Sequence, residues 1–339
     1  MTRKRTVGAA VGRLRGWGGV TCMAVACAVT ASLTLLPLSH AGADAPGRAP
    51  GTAYATQTRT DDCARSDPWA SEPPSNANGA KIEEIQNRGK LIVGVDQNSL
   101  YWGYRNPEKN RPEADASANN EIEGFDIDLA RAIAENILHN PNAVILRVIS
   151  TADRETMLEN GDIDLVVRTM TINCKKKVSF STPYFQAGQQ VLAPRSSPIT
   201  GYDDSLSGKR VCTAEGSSAY EALKEKPHGA TFEVKNELPV PNQLDCLVRL
   251  QLGEVDAVVT DDALAAAQVA QDPAVEFKGG TFTEEYYGVA AKKGATDLVA
   301  RVNQVLVDYS SGGTNSAWMT SYRKWLEKTL PGKKPPAKT

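Results

Sequence analysis

The sequence is poor in the residues that enzymes most often use for proton transfer and metal binding. It has three histidines in 339 residues, and beyond the first forty residues only His139 and His228 remain. Neither stands in an HExxH or triad-like setting, and His139, beside Asn140-Pro141, reads as a surface residue at a helix end. Gly216-Ser217-Ser218 lacks the GxSxG elbow, and no P-loop or GxGxxG follows a strand. The chain is therefore expected not to be an enzyme, and to need no metal or cofactor. Cysteine is also sparse, with six in all, of which Cys63, Cys174, Cys212 and Cys246 follow residue 43. No spacing is CxxC, so structural disulfides of an oxidising compartment are expected. Cys212–Cys246 is favoured because both fall in one expected lobe, which leaves Cys63–Cys174 to pin the N-terminal segment. No apolar run after Leu38 is long enough to cross a bilayer.

What the N-terminus does have is an export signal. Arg3, Lys4, Arg5, Arg13 and Arg15 precede any acidic residue, an uncharged apolar stretch runs from Val20 to Leu38, and Ala41-Gly42-Ala43 fits a cleavage site. Two alternatives stay open: an uncleaved anchor, since the stretch approaches the ~20 residues of a spanning helix, or a lipoprotein box at Ala24-Val25-Ala26-Cys27. All three place the globular part outside the cell, secreted or on the outer face of the membrane. Removing the five basic residues takes the formal net charge from −2 to about −7, which speaks against nucleic-acid binding.

Residues 1–43 are thus signal or anchor, 44–80 an Ala/Pro/Ser/Gly-rich flexible tether, and 331–339 a disordered tail. Between them, strands at Leu91–Val95, Ala143–Ile149 and Asp164–Thr169 alternate with helices at Asp126–Leu138 and near Arg154–Asn160. The pattern restarts with strands Arg210–Ala214, Thr231–Val234 and Ala257–Thr260, and helices Ser217–Glu225, near Gln243–Leu252 and from Asp262. A strand at Tyr286–Ala291 and helices at Asp297–Tyr309 and Thr314–Lys328 follow. Gly161-Asp162-Ile163-Asp164-Leu165-Val166-Val167 nearly repeats as Gly253-Glu254-Val255-Asp256-Ala257-Val258-Val259. One plan used twice explains this better than a solenoid. The expected fold is α/β and two-lobed, each lobe a mixed, mainly parallel sheet flanked by helices. Lobe 1 takes residues 81–190 and 285–330, lobe 2 takes 191–284, and hinge crossings fall near Gly188–Pro194 and Phe282–Tyr287. Strand ends facing a cleft on a double hinge make a closable ligand trap.

Binding groups gather at those strand ends. Thr169 and Thr171 leave the third strand of lobe 1, and Gly216-Ser217 opens a helix, where amides and hydroxyls suit a carboxylate. Ser217 is equally read as a helix cap. Asp261 suits an ammonium, or caps the helix that follows. Arg168, in an apolar run, is either a partner for a ligand's side-chain carboxylate or half of a salt bridge, for instance with Glu215 across the cleft. Arg154 is a ligand contact or an exposed helix charge.

From about Ile82 to Leu330 the chain resembles the family 3 extracellular solute-binding proteins, which serve polar amino-acid ABC importers. The motifs are Gly89-Lys90-Leu91-Ile92-Val93-Gly94-Val95-Asp96, Gly124-Phe125-Asp126-Ile127-Asp128, Asn160-Gly161-Asp162-Ile163-Asp164, Phe180-Ser181-Thr182-Pro183-Tyr184 and Val255-Asp256-Ala257-Val258-Val259-Thr260-Asp261-Asp262. Ser197-Pro198-Ile199-Thr200 and the positions of Cys174, Cys212 and Cys246 look most like glutamate/aspartate binders of actinobacterial type. The resemblance implies the type II periplasmic-binding-protein fold, a monomer, and an ABC permease as partner. It places the α-carboxylate at Thr169, Thr171, Gly216 and Ser217, the α-ammonium at Asp261, and Asp96 along the pocket. Lys176 stands where the family usually has a clamping arginine, and lysine lacks the planar fork. Arg154, Arg168 and Lys176 together favour glutamate or aspartate, while Glu215 would repel them. Tyr101-Trp102-Gly103-Tyr104 either covers the ligand or packs on the tether. An amino-acid sensor without transport, and a binding fold that has lost its ligand, are the alternative readings.

Overall fold

The computed structural model describes residues 67–107, 121–225 and 235–338, all within the compact unit Arg59–Thr339. The expected signal, the first part of the tether, Cys63 and the strand expected at 231–234 lie outside the described residues. In chain order, α1 (Ala80–Arg88) leads into β1 (Leu91–Val95), then short strands β2 (Asn98–Ser99), β3 (Gly103–Arg105) and β4 (Ile122–Glu123). Next come α2 (Phe125–Leu138), β5 (Val144–Val148), α3 (Arg154–Asn160), β6 (Leu165–Val166), β7 (Val178–Phe180), β8 (Phe185–Ala187) and β9 (Gln189–Pro194). The second half holds β10 (Arg210–Ala214), α4 (Ser218–Glu225), β11 (Lys235–Val240), α5 (Gln243–Gln251), β12 (Ala257–Asp261), α6 (Asp262–Gln271) and β13 (Val275–Lys278). It closes with β14 (Glu285–Tyr287), β15 (Ala290–Lys292), α7 (Thr296–Ser310) and α8 (Ala317–Trp325).

Two five-stranded sheets result, ordered β5-β1-β6-β15-β7 and β11-β10-β12-β9-β13. In each, three strands pair in parallel, and β15 or β9 runs against them and pairs antiparallel on both sides, with β6 and β7 or with β12 and β13. The repeated Gly-x-x-Asp unit does the same work in both. Asp164 accepts the amide of Ile92 at 2.8 Å and returns its own amide to Ile92 O at 2.8 Å. Asp256 accepts the amide of Arg210 at 2.7 Å and returns its own amide to Arg210 O at 2.8 Å. Each aspartate thus staples the start of its sheet's first parallel strand, β1 or β10, to the strand it precedes. The sheet interiors are near-continuous apolar runs, as strands covered on both faces require; Leu91, Val93 and Val95 in β1, and Ala257, Val258 and Val259 in β12, are all fully buried.

Helices α1, α2, α7 and α8 pack around the first sheet with an aromatic cluster in which Trp102 meets Phe125, Phe185 and Tyr287 edge-on at 4.8–5.8 Å. Such pairs contribute about 0.5–1.5 kcal/mol each beyond burial. Trp102 therefore belongs to the core, and its Nε1 donates to Ala263 O at the start of α6 at 3.0 Å. No helix among the described residues is long and apolar enough to cross a membrane.

Several elements differ from the sequence reading. The segment expected to be a tether is bound where described: Asn303 Nδ2 donates to Ser71 Oγ and Glu72 O at 2.8 and 2.6 Å, and Ser75 N donates to Ala300 O at 3.0 Å. In the segment expected to be a disordered tail, Lys333 pairs with Asp262 at 3.1 Å and its amide donates to Tyr322 Oη, and Lys338 pairs with Asp67 at 2.8 Å. Gly188–Pro194, read as a crossing, is mostly β9, an inner strand between β12 and β13. The chain passes instead through β8, which pairs antiparallel with β14. The expected strand Tyr286–Ala291 is two strands, β14 and β15, that join different sheets.

Cys212 and Cys246 form a disulfide that ties β10 to α5. Cys174 is disulfide-bonded as well. Closing the 34-residue separation of Cys212–Cys246 constrains the unfolded chain by about 4 kcal/mol. Replacing both cysteines by serine is expected to lower the free energy of unfolding by that amount in urea denaturation, and no change would contradict it.

Candidate functional site

The carboxyl ends of β6, β10 and β12 face one cavity. It is lined by Arg154, Thr169, Met170, Thr171, Asn173 and Lys176 from the first-sheet side, and by Gly216, Ser217, Ser218, Ala219, Glu221, Gln243, Thr260 and Asp261 from the second. Seven of the nine residues expected at a site meet here.

Thr169 is held in a left-handed conformation at φ 42°. Its amide donates to Asp126 Oδ2 at 3.0 Å, while Tyr184 Oη donates to Asp126 Oδ1 at 2.9 Å. Burial pushes Asp126 up to about 7 against those two hydrogen bonds. Asp126 stands at the start of α2 because Gly124 at φ 136° lets the chain pass Trp102, where a Cβ would sit 2.3 Å from Trp102 O. The Gly-Phe-Asp motif thus shapes the backbone at Thr169, a role the motif alone did not disclose. Thr171 Oγ1 lies 3.3 Å from Ser218 Oγ across the cavity.

Gly216 adopts φ 72°, and a Cβ there would meet Ala152 Cα at 3.0 Å. That turn directs Gly216 O to Arg154 Nη2 at 3.2 Å and Lys176 Nζ at 3.5 Å. Ser217 caps α4: its Oγ accepts from Tyr220 N at 3.1 Å and donates to Ala214 O at 2.6 Å. Ser218 and Ala219, which open the helix, line the cavity, and helix-opening amides lack partners within the helix.

Arg154 is a buried cavity residue rather than an exposed helix charge. Its Nε donates to Thr151 O at 2.8 Å, Nη1 to Arg168 O at 3.5 Å and Nη2 to Gly216 O. A guanidinium has five N–H donors, so one on each terminal nitrogen is left. Burial, then the charge of Arg168, pushes Arg154 down to about 9. Lys176 pairs with Glu155 at 3.0 Å. Asp261 accepts from Tyr287 Oη at 2.5 Å, and burial followed by the charge of Glu285 raises it well above the usual carboxylate range.

Asp96 and Arg168 do not line the cavity. They pair with each other at 3.1 Å, both buried, beneath it. Arg168 also donates to Thr151 Oγ1 at 2.7 Å and Asn242 Oδ1 at 2.9 Å. Glu215 is exposed and takes no part in this pair. Glu221, Gln243, Asn173 and Thr260 were not singled out from the sequence, since polar residues in a helix or at a strand end carry no distinguishing pattern. Among the described residues no cluster of His, Cys, Asp or Glu is arranged to hold a metal ion.

A cavity between the strand ends of two like sheets, joined by an antiparallel strand pair, is the geometry of a solute trap. Residues 93–328 match the family of bacterial extracellular solute-binding proteins, family 3. The chain belongs to this family. An ABC transporter glutamine-binding protein of Bacillus subtilis is 32% identical over 249 residues, 73% of this chain and 84% of that one. A glutamate-binding protein of Corynebacterium efficiens is 26% identical over 253 residues, 70% of this chain and 80% of its own. The solved solute receptor for L-cysteine of Neisseria gonorrhoeae superposes with a TM-score of 0.65 at 24% identity, covering 74% and 95% of the two chains. It shares the type II periplasmic-binding-protein fold. This family is one of solute-binding proteins, not of enzymes.

Removing one half of a buried ion pair costs about 3–5 kcal/mol, because the other charge is left unpaired. Arg168→Met is expected to destabilise by that amount in urea denaturation, and Asp96→Asn with Arg168→Met to recover at least half. A single variant as stable as the native protein would contradict the pairing.

Proposed function

We propose that the protein binds one α-amino acid with an acidic side chain, glutamate or aspartate, outside the cell and hands it to an ABC importer by closure of the two sheets on the ligand. The observation that carries this reading is Arg154, which reaches the cavity with two N–H donors to spare, opposite Asp261. A planar fork with two donors matches a carboxylate in bidentate geometry. The assignment is then direct. The α-carboxylate lies at Thr171, Lys176 and the opening of α4, where helix amides favour an anion. The α-ammonium lies at Asp261, and the side-chain carboxylate at Arg154. Ligand contacts from both sheets make closure depend on a bound amino acid. The glutamine-binding relative supports the amide as a second ligand, since a neutral side chain accepts from the same fork with weaker hydrogen bonds.

A thermal-shift and calorimetric panel of the twenty amino acids tests this. Glutamate or aspartate is expected to give the largest shift, equivalent to about 2.7 kcal/mol at a hundredfold excess over Kd. Arg154→Lys is expected to weaken glutamate about ten- to hundredfold, the loss of a charge-assisted hydrogen bond, and to affect glutamine less. A larger shift with a basic or apolar amino acid would contradict the assignment.

A further inference from the structure

Lys175, Lys176 and Lys177 follow one another in the loop between β6 and β7, and of the three only Lys176 lines the cavity. What selects it is Glu155. Oε1 of that carboxylate meets Lys176 Nζ at 3.0 Å, and Oε2 accepts the amide of Lys177 at 2.9 Å. One side chain thus holds both the ammonium and the backbone beside it. The loop has two further ties, for Asn173 Oδ1 accepts the amide of Lys175 at 2.9 Å and Cys174 is disulfide-bonded. Glu155 follows Arg154 in the first turn of α3, so one turn of helix sends one side chain into the cavity and the next to the loop that carries the second cation. Both cations converge on Gly216 O, at 3.2 Å from Arg154 Nη2 and 3.5 Å from Lys176 Nζ. An ammonium has three N–H donors. Glu155 takes one and the longer contact to Gly216 O a second, and the third has no partner among the described residues.

We infer that Glu155 is a positioning residue of the carboxylate subsite: it holds Lys176 so that the remaining ammonium donor is presented to the ligand's α-carboxylate. The inference rests on the amino-acid reading above and goes further, since Glu155 lies outside the cavity wall. An arginine fixes the direction of its donors by the planarity of the guanidinium, whereas a lysine is a point charge on a flexible stem. Freezing that stem at the moment of binding costs rotamer entropy. The pair with Glu155 removes the freedom beforehand, and so gives a lysine what the planar fork gives an arginine. A carboxylate near an anionic ligand also repels it, and the two effects have opposite signs. The Glu155 side chain is 32% exposed against 19% for Lys176. Solvent therefore screens the repulsion more than it loosens the pair, and positioning outweighs it.

The experiment is calorimetric titration of the whole exported protein with L-glutamate, and separately L-glutamine, at neutral pH. It compares the native protein with Glu155→Gln, Lys176→Ala and the double variant. Glu155→Gln turns one of two acceptors into a donor, so the side chain can hold the amide of Lys177 or the ammonium of Lys176 but not both. Because the two ligands share the α-carboxylate, Glu155→Gln is expected to weaken both, by about three- to thirtyfold, the rotamer freedom of one lysine. In the Lys176→Ala background the same substitution is expected to change either affinity by less than about twofold, whereas a merely structural Glu155 would cost as much there as in the native protein. Native-like binding by Glu155→Gln, or the tighter binding that loss of repulsion alone would give, overturns the inference. Equal weakening in both backgrounds overturns it too, as does weakening of glutamate with glutamine unchanged. Failure of the native protein to bind either amino acid overturns the functional reading instead, and this inference with it.

Discussion

The buried ion pair between Arg168 and Asp96 is the constraint on which the cleft depends. A guanidinium without solvent costs several kcal/mol unless its donors are used. Here the two terminal nitrogens are used on three separate parts of the fold, Asp96 at the end of β1, Thr151 after β5 and Asn242 at the start of α5, while Nε has no partner among the described residues. Asp96 in turn accepts from the amides of Gln97 and Asn98 and from Ser99 Oγ. Strand ends that would otherwise be free are fixed in one arrangement beneath the cavity. The consequence is functional as well as structural. With Arg168 committed below, Arg154 and Lys176 are left as the cations of the cavity wall, opposed by Asp261 and Glu221.

A related device, an acid holding backbone amides, recurs through the molecule. Asp164 and Asp256 set β1 and β10, the first parallel strands of the two sheets. Asp126 sets the strained backbone of Thr169, and Asp297 of α7 caps α1 by accepting the amides of Lys81 and Ile82 at 2.9 and 3.0 Å. Carboxylates that accept backbone N–H groups place strand and helix ends more sharply than apolar packing alone, because the bond is directional. Residues that line the cavity sit at those ends.

Much of the architecture was legible in the sequence because it rests on local pattern. Leu91–Val95 and Arg210–Ala214 are apolar runs of strand length, α2 carries a helical spacing that ends before Pro141, and the twin Gly-x-x-Asp units announce two like halves. What was missed depends on distant partners. Helix α1 buries only Ile82 and Ile85 and is capped from α7, so its own sequence carries little helical pattern. Gln189 and Gln190 disguise β9, although both are buried within the second sheet. Asp261 and the residues at the start of α4 could be read from the chemistry of strand and helix ends. That Arg168 is turned to Asp96 and Arg154 to the cavity could not, since two arginines near one strand look alike until the fold assigns them partners. Glu285 lay in a Glu-Glu pair whose exposed and buried members, Glu284 and Glu285, only the strand register distinguishes.

A crystal structure of the glutamate complex tests the central claim most directly. The account predicts the side-chain carboxylate on Arg154, the ammonium beside Asp261, and an unbroken Arg168–Asp96 pair beneath them. A ligand carboxylate bound to Arg168, with Asp96 turned away, would contradict it.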